Sequence, residues 1–113
     1  MTACIVGWAH SRFGKLEGED LEALIGRVAT AAIEDAGMAP GDIDEIFIGN
    51  FNGGFVRQEF PSSLVLQIDP ALRYTPATRV ENACATGSAA IHRASTPLPP
   101  SAPATCWWWA SRR

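Results

Sequence analysis

The chain has 113 residues, 47% of them hydrophobic, which is enough apolar material for one modest core and too little for two. Its net charge of -3 at pH 7 excludes the basic surface with which proteins bind nucleic acid. No apolar run approaches the roughly 20 residues that span a bilayer, and the N-terminus lacks the pattern of a secretory signal, so we expect no membrane partner.

The cysteines indicate a reducing compartment. Cys4, Cys84 and Cys106 have neither the spacing of a metal site nor the even number of a disulfide framework. We therefore expect reduced thiols, no bound metal and a cytoplasmic location, with at least one thiol chemically active.

The first half of the chain has the pattern of a strand, a helix and a second strand. Ala3–Val6 is a short apolar run that suits a buried strand with Cys4 in the core. The helix is expected to begin after the N-cap Asp20 and to end at Gly37, because apolar residues recur between them at helical spacing. Ile43–Ile48 predicts the second strand, and a crossover of this kind places its two strands parallel in one sheet.

The next segment predicts a second crossover. Phe55–Asp69 is expected to contain a short helix that begins at Ser62 or Ser63 and ends at Gln67. Thr75–Val80 predicts a third strand, and a helix of small residues follows from Ala85. Because these side chains have almost no bulk, this helix is expected to lie deep in the molecule against another backbone.

Cys84 stands where the third strand gives way to that helix. A thiol at the start of a helix faces backbone N–H groups and the positive end of the helix dipole, and both favour the attacking thiolate. Spacing alone leaves open an inert buried thiol, a common environment for cysteine. The second strand is followed by residues that predict either an ordinary turn or part of a pocket floor: Asn50, Asn52, Gly53 and Gly54.

Three stretches resemble the N-terminal half of a thiolase subunit. They are Cys4–Gly7 with the loop Arg12-Phe13-Gly14, the connection from Asp35-Ala36-Gly37 to Gly49-Asn50, and Pro76 through Ala90. The cysteine loop departs from the Asn-Arg-x-Cys-Ala-Ser-Gly of biosynthetic and degradative thiolases and is closer to the sterol-carrier-type and acetyl-CoA acetyltransferase-like branches. Its sequence is Glu81-Asn82-Ala83-Cys84-Ala85-Thr86-Gly87-Ser88. The resemblance implies an α/β fold, layered and with a mixed, mainly parallel sheet, of which this chain is an incomplete N-terminal half-domain.

The same resemblance implies an acyl transfer in two steps. The thiolate corresponding to Cys84 accepts an acyl group from a coenzyme A thioester and passes it on, so acyl-CoA is the substrate and no cofactor is permanently bound. The histidines and second cysteine that activate this nucleophile belong to the family's C-terminal half. His92 does not replace them, because it lies about 12 Å along the helix from Cys84, and His10 stands in an early loop. The full-length family implies a homodimer or tetramer and a role in lipid metabolism.

The composition changes abruptly near Arg93. Four prolines between residues 97 and 103 stop the helix, and Trp107-Trp108-Trp109 matches no core pattern. Reading the codons from Cys106 to Ala110 one base earlier forces Leu-Val-Val-Gly after a Leu, Met or Val. We therefore divide the chain into a partial thiolase domain, residues 1–93, and an out-of-frame, disordered tail, residues 94–113. The alternatives to the frame change are a natural proline-rich linker that ends in an aromatic surface anchor, and an expression scar.

Two other functions remain open from the sequence. The chain could be a non-catalytic truncated remnant or a small interaction module. Within the enzymes, a beta-ketoacyl synthase-like condensing enzyme shares a cysteine at a helix start, although its usual loop is less similar to residues 82–87.

Overall fold

The computed structural model describes residues 3–51 and 57–96, and the backbone of residues 106–111. The helices and strands are, in chain order, helix α1 (Leu21–Asp35), strand β1 (Glu45–Asn50), strand β2 (Ala77–Val80), helix α2 (Thr86–Ser95) and strand β3 (Cys106–Ser111). Short 3-10 helices lie between them at Pro40–Asp42, Pro61–Gln67, Pro70–Leu72 and Ala83–Ala85. No helix in these described ranges is both long enough and apolar enough to cross a membrane.

Helix α1 has the boundaries that the sequence predicts. At its start, the Asp20 carboxylate accepts a hydrogen bond of 2.8 Å from the N–H of Ala23, which satisfies one of the amides left open at a helix N-terminus. At its end, Gly37 adopts a φ of 64°, and Met38 donates back to the carbonyl of Ile33. This is a Schellman ending, in which a left-handed glycine closes the last turn.

Strand β1 lies in the centre of a three-stranded sheet with the order β2-β1-β3, and both pairs are parallel. Ile46 is opposite Ala77 of β2 and Trp107 of β3. A central parallel strand is covered on both faces, which explains why the run Ile46–Asn50 is buried without alternation. The described strands thus confirm the expected α/β class.

The core forms between the apolar face of α1, strand β1 and the 3-10 helix Pro61–Gln67. Its buried members are aliphatic: Leu21, Leu24, Ile25, Val28, Ile33, Ile43, Ile46, Ile48, Leu64, Val65 and Leu72. The prediction of a short helix ending at Gln67 is confirmed, although the helix is of the 3-10 type and begins at Pro61.

The prediction of a buried strand at Ala3–Val6 is wrong. These residues have no regular structure, form no strand of the described sheet, and are exposed, including Cys4. The chain instead runs along the end of α1, where the N–H of Trp8 donates to the Asp35 carboxylate at 2.9 Å. Because both neighbours of β1 are strands from later in the chain, the N-terminal run has no place beside it, and the first predicted crossover does not form.

Two described segments fall within the predicted out-of-frame, disordered tail. Helix α2 continues to Ser95, and the backbone of Cys106–Ser111 forms β3 alongside β1. The division of the chain at residue 93 and the disorder of the tail stay predictions. Tryptophan is among the residues that favour strands, so a run of three tryptophans can form a strand even though the composition of the tail differs from that of the preceding domain. The four prolines of the tail lie outside the described residues.

Helix α2 is far less buried than its small side chains predict. It packs against β1 and β3, yet only Thr86 and Ala90 are buried, while Ser88 and Ile91 are exposed. The described residues cover one face of the helix and leave its other face open to solvent. The prediction of a deeply buried helix therefore does not hold for this chain.

Candidate active site

Cys84 lies at the junction between a strand and a helix. Strand β2 ends at Val80, the 3-10 turn Ala83–Ala85 contains the cysteine, and α2 begins at Thr86. The Cys84 side chain is exposed, so this thiol is not the inert buried residue that spacing alone left open. An exposed thiol at a helix start is accessible to an incoming electrophile.

The backbone immediately before the cysteine is strained. Ala83 has a φ of 43°, a left-handed value that residues with a Cβ rarely adopt. The Thr86 hydroxyl contacts both residues that precede Cys84: it accepts from the N–H of Asn82 at 2.8 Å and donates to the carbonyl of Ala83 at 2.7 Å. The turn that holds the cysteine is therefore closed by one buried side chain.

Two of the amides expected to be open at the helix start are already used. The N–H of Ala85 donates to the carbonyl of Asn82 at 2.8 Å, and the N–H of Thr86 donates to the carbonyl of Ala83. A 3-10 turn bonds residues three apart and so consumes amides that a simple helix start leaves open. These two amides are not available to orient an acyl group.

The carboxyl ends of β1 and β2 are joined beside this turn. The Arg79 guanidinium donates from Nε and from one terminal nitrogen to the Asn50 carbonyl, at 3.2 Å each, and forms an ion pair with Glu81. Asn50 is buried, and its proposed part in a pocket floor stays a prediction. Asn52, Gly53 and Gly54 lie outside the described residues, so their proposed part in a pocket floor stays a prediction.

An open depression of about 570 Å³ lies next to the turn. One wall is the segment Val80–Asn82, and the other is the face of α2 that presents Ser88, Ala89 and His92. Cys84 is not in its wall, although its neighbours Asn82 and Ala85 are. The depression therefore follows α2 away from the cysteine, with Glu81 near one end and His92 and Arg93 near the other.

The structure places His10 among aromatic rings. Its ring centre lies 4.6 Å from that of Phe13 and 6.2 Å from that of Trp8. Within the described ranges, no three histidine, cysteine or acidic side chains are grouped as metal ligands. The side chain of Cys106 lies outside the described residues.

Sequence reasoning missed the contacts that shape the turn. It assigned no contact in the turn to Thr86 and no role to Arg79. The signal for Arg79 was present, because residues two apart on a strand point to the same face and Arg79 and Glu81 carry opposite charges. The left-handed backbone of Ala83 has no signal in the residue types, since alanine normally avoids it.

Residues 3–98 match the family of thiolase N-terminal domains. The chain belongs to the thiolase family. The match ends close to the change of composition that follows Arg93. This thiolase chain is 41% identical over 91 residues to an acetyl-CoA acetyltransferase of Methanocaldococcus jannaschii, which covers 80% of this chain and 23% of that protein. A second acetyl-CoA acetyltransferase, from Methanothermobacter thermautotrophicus, is 38% identical over 88 residues, which are 77% of this chain and again 23% of the relative. The chain thus spans under a quarter of the length of these relatives.

Proposed function

We propose that this chain is part of a thiolase-type acyl-CoA acyltransferase in which Cys84 carries the acyl group as a thioester. The observation that supports the proposal is the exposed Cys84 thiol at a strand-to-helix junction, inside the segment that matches the thiolase family. The names of the two relatives support acetyl-CoA as the acyl donor.

The proposed step is an exchange of thioesters. The Cys84 sulfur attacks the carbonyl carbon of acyl-CoA, a new carbon–sulfur bond forms at Cys84, and the bond to the sulfur of coenzyme A breaks. Coenzyme A leaves as a thiolate that takes up a proton. The acyl group then passes to a second acceptor, and Cys84 returns to its starting state.

We propose further that the 113 residues turn over little or no substrate alone. Within the described residues, His10 and His92 are the histidines, and the contacts of His10 are with Trp8 and Phe13. Eight residues of helical rise keep His92 at about 12 Å from Cys84, too far for direct proton transfer. The groups that activate the nucleophile in the full-length family would have to come from elsewhere.

For the whole protein we propose a homodimer or tetramer, located in the cytoplasm and acting in lipid metabolism. The proposal of an oligomer draws support from the apolar surface that this chain exposes, including Ile5, Phe13 and Tyr74, each more than four-fifths exposed. The same surface also favours the second candidate function, a non-catalytic remnant or interaction module.

Intact-mass measurement separates these candidates. The purified chain is incubated with acetyl-CoA, and acyl transfer is expected to add the mass of one acetyl group. Cys84→Ala is expected to lose the adduct, whereas Cys4→Ala, which removes another exposed thiol, is expected to keep it. An unmodified wild-type chain would support the remnant, and an adduct that persists in Cys84→Ala would place the acyl group on the wrong residue.

A further inference from the structure

Thr86 closes a ring of backbone around Cys84. Its hydroxyl accepts from Asn82 and donates to Ala83, so a single oxygen connects the residues before the cysteine to the helix that follows it. The residue is only 6% exposed, and water therefore competes little for these two hydrogen bonds. A packing residue at this position would need no hydroxyl.

The contact with Ala83 acts directly on the cysteine's backbone. The carbonyl of Ala83 and the N–H of Cys84 belong to one planar peptide unit, so fixing the carbonyl fixes the orientation in which the chain enters Cys84. The left-handed φ of Ala83 is unfavourable for a residue with a Cβ, and it persists only where surrounding contacts hold it.

We propose that Thr86 is a positioning residue for the reaction of Cys84: its hydroxyl holds Ala83 in the left-handed conformation that presents the thiol to an acyl donor. The effect on acyl transfer rests on the proposed function, whereas the effect on the turn does not. Both can be measured on the 113-residue chain.

The variants separate the hydroxyl from the rest of the side chain. Thr86→Ser keeps the hydroxyl and removes the methyl group, whereas Thr86→Val keeps the shape and removes both hydrogen bonds. Ala83→Gly provides a second test. Glycine adopts a positive φ without strain, so the turn should depend less on the hydrogen bond from the Thr86 hydroxyl. Thr30→Val, which makes the same change at an exposed position of α1, is the control.

The first measurement is the rate at which Cys84 gains an acetyl group from acetyl-CoA. Thr86→Val is expected to slow it by about 10–100-fold, since misplacing a reacting group by an ångström can cost that much. Thr86→Ser and Thr30→Val are expected to stay close to wild type. In the Ala83→Gly background, the factor by which Thr86→Val slows acetylation is expected to be at least about threefold smaller than in the wild-type background. Such non-additivity is the sign that two residues are coupled.

The second measurement is amide hydrogen exchange at Asn82, read against the amides of β1. Thr86→Val is expected to speed exchange at Asn82 by about fivefold or more, with β1 unchanged, and Thr86→Ser is expected to preserve its protection. If Thr86→Val unfolds β1 as well, the double variant Ala83→Gly/Thr86→Val must recover the protection of β1, and its failure to do so overturns the proposal.

These measurements distinguish the positioning role of Thr86 from the proposed acyl-transfer function. Wild-type chain that accepts no acetyl group contradicts the proposed function, and positioning is then read from the alkylation of Cys84 by iodoacetamide relative to Cys4 in the same molecule. That ratio is expected to fall in Thr86→Val and not in Thr86→Ser, because the turn is what holds Cys84 exposed. If Thr86→Val leaves both the amide exchange at Asn82 and the reactivity of Cys84 at their wild-type values, the positioning role of Thr86 is overturned. The proposed function then stays intact.

Discussion

The Arg79 side chain binds the backbone carbonyl of Asn50 through two hydrogen bonds of 3.2 Å each, and so connects the last residue of β1 to strand β2. The two bonds need the forked geometry of a guanidinium, which a lysine cannot reproduce. The ion pair with Glu81 holds the same side chain from its other side.

Arg79→Lys is expected to lower the free energy of unfolding by about 1 kcal/mol, because it keeps the charge but loses one of the two hydrogen bonds. Urea unfolding followed by far-ultraviolet circular dichroism measures this change. Arg73→Lys is the matched control, since Arg73 is exposed and its guanidinium lies over the Tyr74 ring, 5.6 Å from the ring centre. Equal stabilities of the two variants would show that the forked contact adds nothing.

Gly7 and Gly26 are expected to respond in opposite ways to alanine. A Cβ at Gly7 would lie 2.6 Å from the Ala36 nitrogen and 2.8 Å from the Ala32 carbonyl oxygen, so the N-terminal segment must move away from α1. Gly7→Ala is expected to cost about 1–3 kcal/mol and to release the Trp8 N–H from Asp35, which exchange of the Trp8 amide would detect.

Gly26 provides the comparison, because it lies within the helix that Gly7 contacts. It lies inside α1, and a Cβ there meets no atom within 4 Å. Gly26→Ala is expected to stabilise the chain by about 1 kcal/mol, because alanine loses less backbone entropy in a helix. Stabilisation by both substitutions would mean that the close approach at Gly7 is not real.

Ser62 and Ser63 form a second pair with opposite expectations. The Ser62 hydroxyl is fully buried and has no hydrogen-bond partner among the described residues, whereas the Ser63 hydroxyl donates to the Phe60 carbonyl at 2.8 Å. Ser62→Ala is expected to raise the free energy of unfolding by about 1 kcal/mol, since it removes an unsatisfied buried group. Ser63→Ala is expected to lower it by up to about 1 kcal/mol. Thermal unfolding of both variants under one set of conditions tests the contrast, and a loss of stability in Ser62→Ala would reveal a partner for its hydroxyl.

The frame hypothesis makes a prediction about the gene. Restoring one base near the Arg93 codon is expected to give a reading frame that continues α2 and then encodes Leu-Val-Val-Gly in place of Trp107–Ala110. Sequencing the gene across and beyond this codon provides the measurement. A stop codon soon after the restored base, with no further similarity to thiolases, would count against the frame change.

Local signals predicted α1 and the position of Cys84 well. Asp20 and Gly37 mark the ends of α1 through contacts within a few residues, and the apolar spacing between them selects the helix. Cys84 stands between β2 and α2 because the pattern changes there from an extended run to small residues. Such features depend on neighbouring positions only, which the sequence displays directly.

The failures concern partners that are distant in the sequence. Ala3–Val6 has the composition of a strand, but a strand forms only where another strand offers its backbone groups. Strand β3 was missed for a similar reason, because its partner β1 lies far from it in the sequence. Likewise, the Thr86 hydroxyl reaches Asn82 and Ala83 only once the turn has formed.

The place of β1 between β2 and β3 also governs how the chain can be synthesised. Both of its partners are translated after it, so the most apolar strand leaves the ribosome with neither of its edges paired. Until β2 emerges, α1 and then the 3-10 helix Pro61–Gln67 can shelter the side chains of β1, but neither pairs with its edges. A ribosome that pauses before residue 106 would therefore expose an unpaired, aggregation-prone edge, and nascent chains of this protein are expected to need a chaperone at that stage.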